Sequence, residues 1–133
     1  MKYLGFVLLV LSGYVMAEEV YYCSDNHNGA NGFHKNEKTG QYERSGFTER
    51  KFKMKLQDDG NIAISEDGYT DVFSCFLLSE TPLGDWLGCI QKYHHSHFNF
   101  NQDNGRYIMF EGFGYVFGTK DSVMTRIGTC TKF

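Results

Sequence analysis

Four cysteines, Cys23, Cys75, Cys89 and Cys130, all stand after a leader-like N-terminus, and that placement constrains the fold more than any other feature. Residues 1–17 read MKYLGFVLLVLSGYVMA. Lys2 gives a short positive region, Leu4 to Leu11 an apolar one, and Val15-Met16-Ala17 a small-residue cleavage site. The apolar run is too short to cross a bilayer, which takes about 20 helical residues. Residues 1–17 therefore read as a cleaved signal peptide, and 18–133 as a single domain that does not span the membrane. No cysteine directly follows the cut, so no lipid anchor is expected there. The expected location is periplasmic or extracellular. In such an oxidising compartment, an even cysteine count in a small domain reads as disulfides.

Four cysteines allow three pairings. The absence of a Cys-x-x-Cys pair weakens a zinc ribbon or a thioredoxin-like redox site. Between Cys75 and Cys89 lies a turn-rich stretch, SETPLGD, with strand-like residues on either side. That arrangement favours a local Cys75–Cys89 bridge. Cys23 and Cys130 then pair, joining the first and last strands.

After residue 17, period-2 alternation is easy to find and helical periodicity is not. Lys51 to Leu56 sets Phe52, Met54 and Leu56 on one face and three lysines on the other, a half-buried strand. Turns at 58–61 and 66–68 bracket Ile62-Ala63-Ile64. Tyr69 to Leu78 is nearly continuous in apolar residues and is expected to lie centrally, with Trp86 to Tyr93 as its return strand. His97 to Phe100 and Arg106 to Phe110 flank NQDNG, a hairpin signal. Gly112 to Gly118 alternates glycine with bulky residues, predicting a bent or bulged strand. Ser122 to Cys130 closes the chain, with Val123, Thr125 and Ile127 on one face. Val20 to Cys23 opens it, followed by a polar loop, SDNHNGANG. The expectation is all-β: an antiparallel meander of eight or nine strands forming a small barrel or sandwich with two disulfides.

With that layout, Tyr21-Tyr22-Cys23, Gly32-Phe33, Lys51-Phe52-Lys53-Met54-Lys55 and the closing Gly128-Thr129-Cys130-Thr131-Lys132-Phe133 resemble small exported all-β proteins of aquatic bacteria and their phages. The resemblance spans most of the chain after the leader and brings no activity with it. In outline the chain is also similar to the periplasmic inhibitors of C-type lysozyme, small β-barrels with a Tyr-x-Cys first strand and a C-terminal cysteine. The Phe-Trp-x-Lys-Gly segment of that family is absent, since the one tryptophan, Trp86, sits in Asp85-Trp86-Leu87-Gly88. No inhibitory residues are carried over.

Chemistry-bearing clusters are few. His94, His95 and His97 form H-H-x-H, and on an extended strand His95 and His97 would share a face, a spacing usable by zinc or copper. His27 and His34 are further potential ligands. A solvated turn explains the cluster as simply, and no cofactor is expected. Asp121-Ser122 lies in no nucleophile-elbow pattern, and Glu111 is one carboxylate among sixteen acidic residues. The net charge of −3 is too small for a nucleic-acid footprint. Aromatics are abundant at 17% of the chain, and strand alternation through Phe110, Phe113, Tyr115 and Phe117 should push some rings outward. The expected function is an exported, non-catalytic binding module. Its partner would be a protein, an envelope component or a small ligand, docking on the sheet around Tyr93, Phe113 and Tyr115. A small secreted hydrolase and a ligand-free structural component of the envelope are the alternatives.

Overall fold

The computed structural model describes residues 18–118 and 122–133. The leader and Asp121 therefore lie outside the described residues, as does the side chain of Phe113. The strands are β1 (Glu19–Lys35), β2 (Tyr42–Gly46), β3 (Lys51–Leu56), β4 (Ile62–Glu66), β5 (Tyr69–Leu78), β6 (Trp86–Gln91), β7 (His97–Phe100), β8 (Arg106–Glu111) and β9 (Val123–Lys132). One short helix, α1 (Phe113–Phe117), sits between β8 and β9.

From β3 to β9 each strand pairs antiparallel with the next, and β1 pairs with both β3 and β9. The result is a closed eight-stranded antiparallel barrel with β2 as an extra strand. Closure removes the exposed edges that a flat sheet of this size would present. The first half of β1 pairs with β3 from Glu19 to Ser24, and its second half pairs with β2 from Asn31 to Lys35. Both disulfides form, Cys23–Cys130 and Cys75–Cys89, and each joins residues directly opposite on neighbouring strands.

Inward faces follow the two-residue period. Phe52 and Met54 on β3 point into the barrel and are buried, as the alternation predicts. Phe98 is fully buried and central, with the rings of Phe52, Phe73, Phe100 and Tyr107 at centroid distances of 5.4 to 6.3 Å. Burying such a side chain stabilises by about 1.5–3 kcal/mol. At the β7–β8 turn the Asn101 carboxamide oxygen accepts the backbone N–H of Asp103 at 2.8 Å, and Gly105 takes a φ of 72°. That left-handed turn is what Asn-Gly chemistry supplies.

Four expectations are corrected, and one strand is added to those expected. The polar stretch after Cys23 is not a loop but the bulged middle of β1, its register with β9 shifting between Asp25 and Ala30, with Asn28 at φ 55°. Polar residues are tolerated there because a bulge frees side chains from the alternation. The strand β2 has no apolar pattern and was not expected; pairing with β1 creates it. In β5, Phe73 is buried but Tyr69, Val72, Phe76 and Leu77 are exposed, so this strand is not covered on both faces. A barrel has an outside, and Phe76 lies there over Gly88, where a side chain would collide with its ring. The return strand β6 stops at Gln91, leaving Tyr93 in a turn. Finally, Gly112 to Gly118 forms a helix rather than a strand, bracketed by Gly112 at φ 154° and Gly118 at φ 74°. Those glycines let the chain turn sharply into and out of a single helical turn. On β9, Val123, Thr125 and Ile127 share a face as expected, but it is the outer one; Arg126, Gly128 and Cys130 face in.

Candidate functional site at the open end of the barrel

At one end the inward positions change character. Continuing each strand's two-residue period past its last buried apolar residue leads to Arg50 before Phe52, Glu66 after Ile64, Asp71 before Phe73, Gln91 after Cys89, Ser96 before Phe98 and Glu111 after Met109. All six are polar. Asp25, two residues beyond Cys23, joins them.

Asp25, Arg50, Glu66 and Glu111 are knitted together with Tyr107 and Arg126 beneath the opening. The fully buried Asp25 carboxylate accepts the Tyr107 hydroxyl at 2.6 Å, Arg126 Nη1 at 2.6 Å and the backbone N–H of Arg50 at 2.9 Å. Arg126 Nη1 also donates to the Thr48 carbonyl at 3.1 Å. Arg50 donates from Nε to Glu66 at 2.7 Å and from Nη1 to Glu111 at 3.3 Å. Burial opposes the charge on Arg50, but Glu66 and Glu111 outweigh it and hold its pKa above the ordinary value. Burial, reinforced by the Asp25 carboxylate, pushes the Tyr107 hydroxyl far up, so it serves as a donor. Gly128 makes that contact possible: a side chain there would strike the Tyr107 hydroxyl and the Ser24 carbonyl. Among the described residues, Arg126 Nε is the fully enclosed side-chain nitrogen without a hydrogen bond; it faces Glu111 Oε2 at 3.8 Å.

Above this layer lies a cavity of about 560 Å³. The β6–β7 segment contributes Gln91, His94 and Ser96 to its wall, and α1 contributes Gly114 and Phe117. Asp71, Glu111, Ser122 and Met124 complete the polar and apolar sides. Gln91 and Ser96 are 7% and 8% exposed, and neither side chain hydrogen-bonds to a described residue. Since neither is among the fully enclosed unpartnered atoms, their polar ends open into the cavity.

Of the partner-binding residues expected from the sequence, Tyr93 and Tyr115 flank this opening rather than line it. Tyr93 is 79% exposed in the β6–β7 turn, with Lys92 Nζ 5.7 Å above its ring. Tyr115 is 57% exposed on α1 and packs edge-on against Tyr42 at 5.0 Å. They stand on a turn and a helix, not on sheet. Of the histidines, His94 lines the cavity, His95 sits at φ 51° in the turn and His97 is exposed on β7. The turn breaks the extended geometry on which His95 and His97 would share a face. Among the described residues no three His, Cys, Asp or Glu side chains gather as a metal site. His27 Nδ1 lies 3.2 Å from Glu49, and His34 Nδ1 lies 3.0 Å from the Ser122 hydroxyl. This last pairing, across 88 residues of sequence, has no local signature.

Among the described residues no helix is long and apolar enough to cross a membrane. Comparison with family models, curated proteins and solved structures found no match to this chain.

Proposed function

We propose that the chain is an exported, non-catalytic binding module whose ligand enters the open end of the barrel. One observation carries the reading: the cavity wall holds two side chains, Gln91 and Ser96, that are more than nine-tenths buried yet hydrogen-bond to no described residue. Buried polar groups are normally satisfied, so a wall that leaves them open suits a polar guest. Two disulfides are compatible with export. For export itself, N-terminal sequencing of the protein recovered outside the cytoplasm should read from Glu18.

The binding test is a fragment screen by nuclear magnetic resonance on the purified protein. Binders should shift the Gln91 side-chain and Ser96 signals, and Gln91→Trp should fill the cavity and abolish the shifts. A screen in which every binder leaves those signals unmoved would overturn the reading in favour of a structural component. The hydrolase alternative is favoured by the His34–Ser122 contact at 3.0 Å. Labelling of Ser122 by a fluorophosphonate, lost in His34→Ala, would establish that reading instead.

A further inference from the structure

The polar walls of the cavity also carry an uneven distribution of charge. Asp71 and Glu111 both line it, whereas neither Arg50 nor Arg126 does. Both arginines lie beneath, committed to Glu66 and Glu111 in one case and to Asp25 in the other. Among the described residues of the polar end, these two arginines face four carboxylates, Asp25, Glu66, Asp71 and Glu111, which leaves negative charge in excess. The Asp71 carboxylate makes no ion pair or hydrogen bond among the described residues. An anionic guest would meet repulsion from both carboxylates and have no arginine to answer it.

Carboxylates alone would not define a site. The second observation is Gln91, 7% exposed, its carboxamide without a partner among the described residues and opening into the same space. Carboxamide and hydroxyl groups accept and donate, so they suit a guest with its own polar hydrogens. The Phe117 ring and the Met124 side chain give the wall an apolar side. Resting on the binding reading above, we infer that the cavity takes a small protonated organic amine. The ammonium group is drawn to Asp71 and Glu111, a neighbouring polar group bonds to Gln91 and Ser96, and the carbon skeleton lies against Phe117. The cavity falls within the usual size range for small-ligand sites, about 300–1,000 Å³.

Charge-matched probes test this. Glucosamine, glucose and glucuronate share a ring and differ in charge, and putrescine is an amine without the ring. Each is titrated into the purified protein while the Gln91 and Ser96 signals are followed. Glucosamine or putrescine should shift them, and an amine should bind at least tenfold more tightly than glucose, with glucuronate weaker still. Asp71→Asn, an exposed rim position, should weaken the amine about tenfold without altering the thermal midpoint, whereas Asp58→Asn, in the β3–β4 turn, should leave binding unchanged. Equal affinity for glucose and glucosamine, or tighter binding of glucuronate, overturns the amine assignment while leaving a binding cavity in place. If neither amine shifts those signals, the amine assignment falls, and the fragment screen decides separately whether the cavity binds anything.

Discussion

Arg126 Nη1 and Asp25 Oδ2 lie 2.6 Å apart with their side chains 6% and 0% exposed, although 101 residues separate them in the chain. The pair ties the bulge of β1 to the inner face of β9 at the level where the barrel turns from apolar to polar. Removing one partner of a buried ion pair strands the other charge and typically costs about 3–5 kcal/mol. Asp25→Ala should therefore lower stability in guanidinium unfolding by about that amount. Asp25→Ala combined with Arg126→Met should recover part of the loss, because an apolar pair leaves no charge uncompensated. A single variant within about 1 kcal/mol of the parent would show that the pair contributes little.

This pair also explains what could and could not be read from the sequence. The alternation of Phe52, Met54 and Leu56, the turns at Gly60, Gly68 and Asn104-Gly105, and the Cys75–Cys89 pairing are local signals, and they locate most of the barrel. Asp25 was hidden because a bulged strand carrying Ser24, Asp25, Asn26 and Asn28 has the composition of a loop; only pairing with β9 makes it a strand. The helix at Phe113–Phe117 misled for the converse reason, since glycine alternating with bulk mimics strand period. The polar end was legible in principle. Stepping two residues beyond Ile64, Cys89 and Met109 reaches Glu66, Gln91 and Glu111, but such steps gain meaning only once the strands are known to close around one interior. No sequence pattern could place His34 beside Ser122.

The two disulfides should contribute unequally. Cys23–Cys130 spans a sequence separation of 107 and Cys75–Cys89 one of 14. On the chain-entropy model, loops near these sizes are worth about 4.7 and about 3 kcal/mol. Paired Cys→Ala replacements should therefore lower the unfolding free energy more for Cys23 and Cys130. A non-reducing peptide map should return these two linked pairs. A larger loss from the Cys75–Cys89 replacement would mean that residual structure in the unfolded chain, not loop entropy, sets the difference.

Alkaline pH should unfold the domain through its buried phenols. Burial, helped by the hydrogen bond to Glu19, pushes the Tyr21 hydroxyl from 10.0 to about 12, and Tyr107 is raised as well. In the unfolded chain these groups release their protons at lower pH than in the barrel. Their contribution is complete below about pH 10 and is lost as pH rises through the folded values. Following tyrosinate absorbance alongside circular dichroism should show these two rings ionising together with loss of the fold. Tyr21→Phe should make the alkaline loss of stability shallower. An unchanged slope would assign that loss to other groups.

Tyr115 separates a surface role from a core role. Its ring is 57% exposed on a five-residue helix, and its described ring contact is the edge-on packing against Tyr42 at 5.0 Å. An aromatic pair of this kind is worth about 0.5–1.5 kcal/mol. Tyr115→Ala should thus cost no more than about that and leave the barrel folded, in contrast to Phe98→Ala, where emptying a fully buried site should cost about 3–5 kcal/mol. Thermal unfolding of both variants makes the comparison directly. Because α1 also supplies Gly114 and Phe117 to the cavity wall, Tyr115→Ala should weaken any amine found to bind there by loosening the helix rather than by removing a contact. The two causes differ in their signature: loosening should raise hydrogen exchange along α1 in the free protein, and an unchanged exchange rate with weakened binding would make Tyr115 a contact residue.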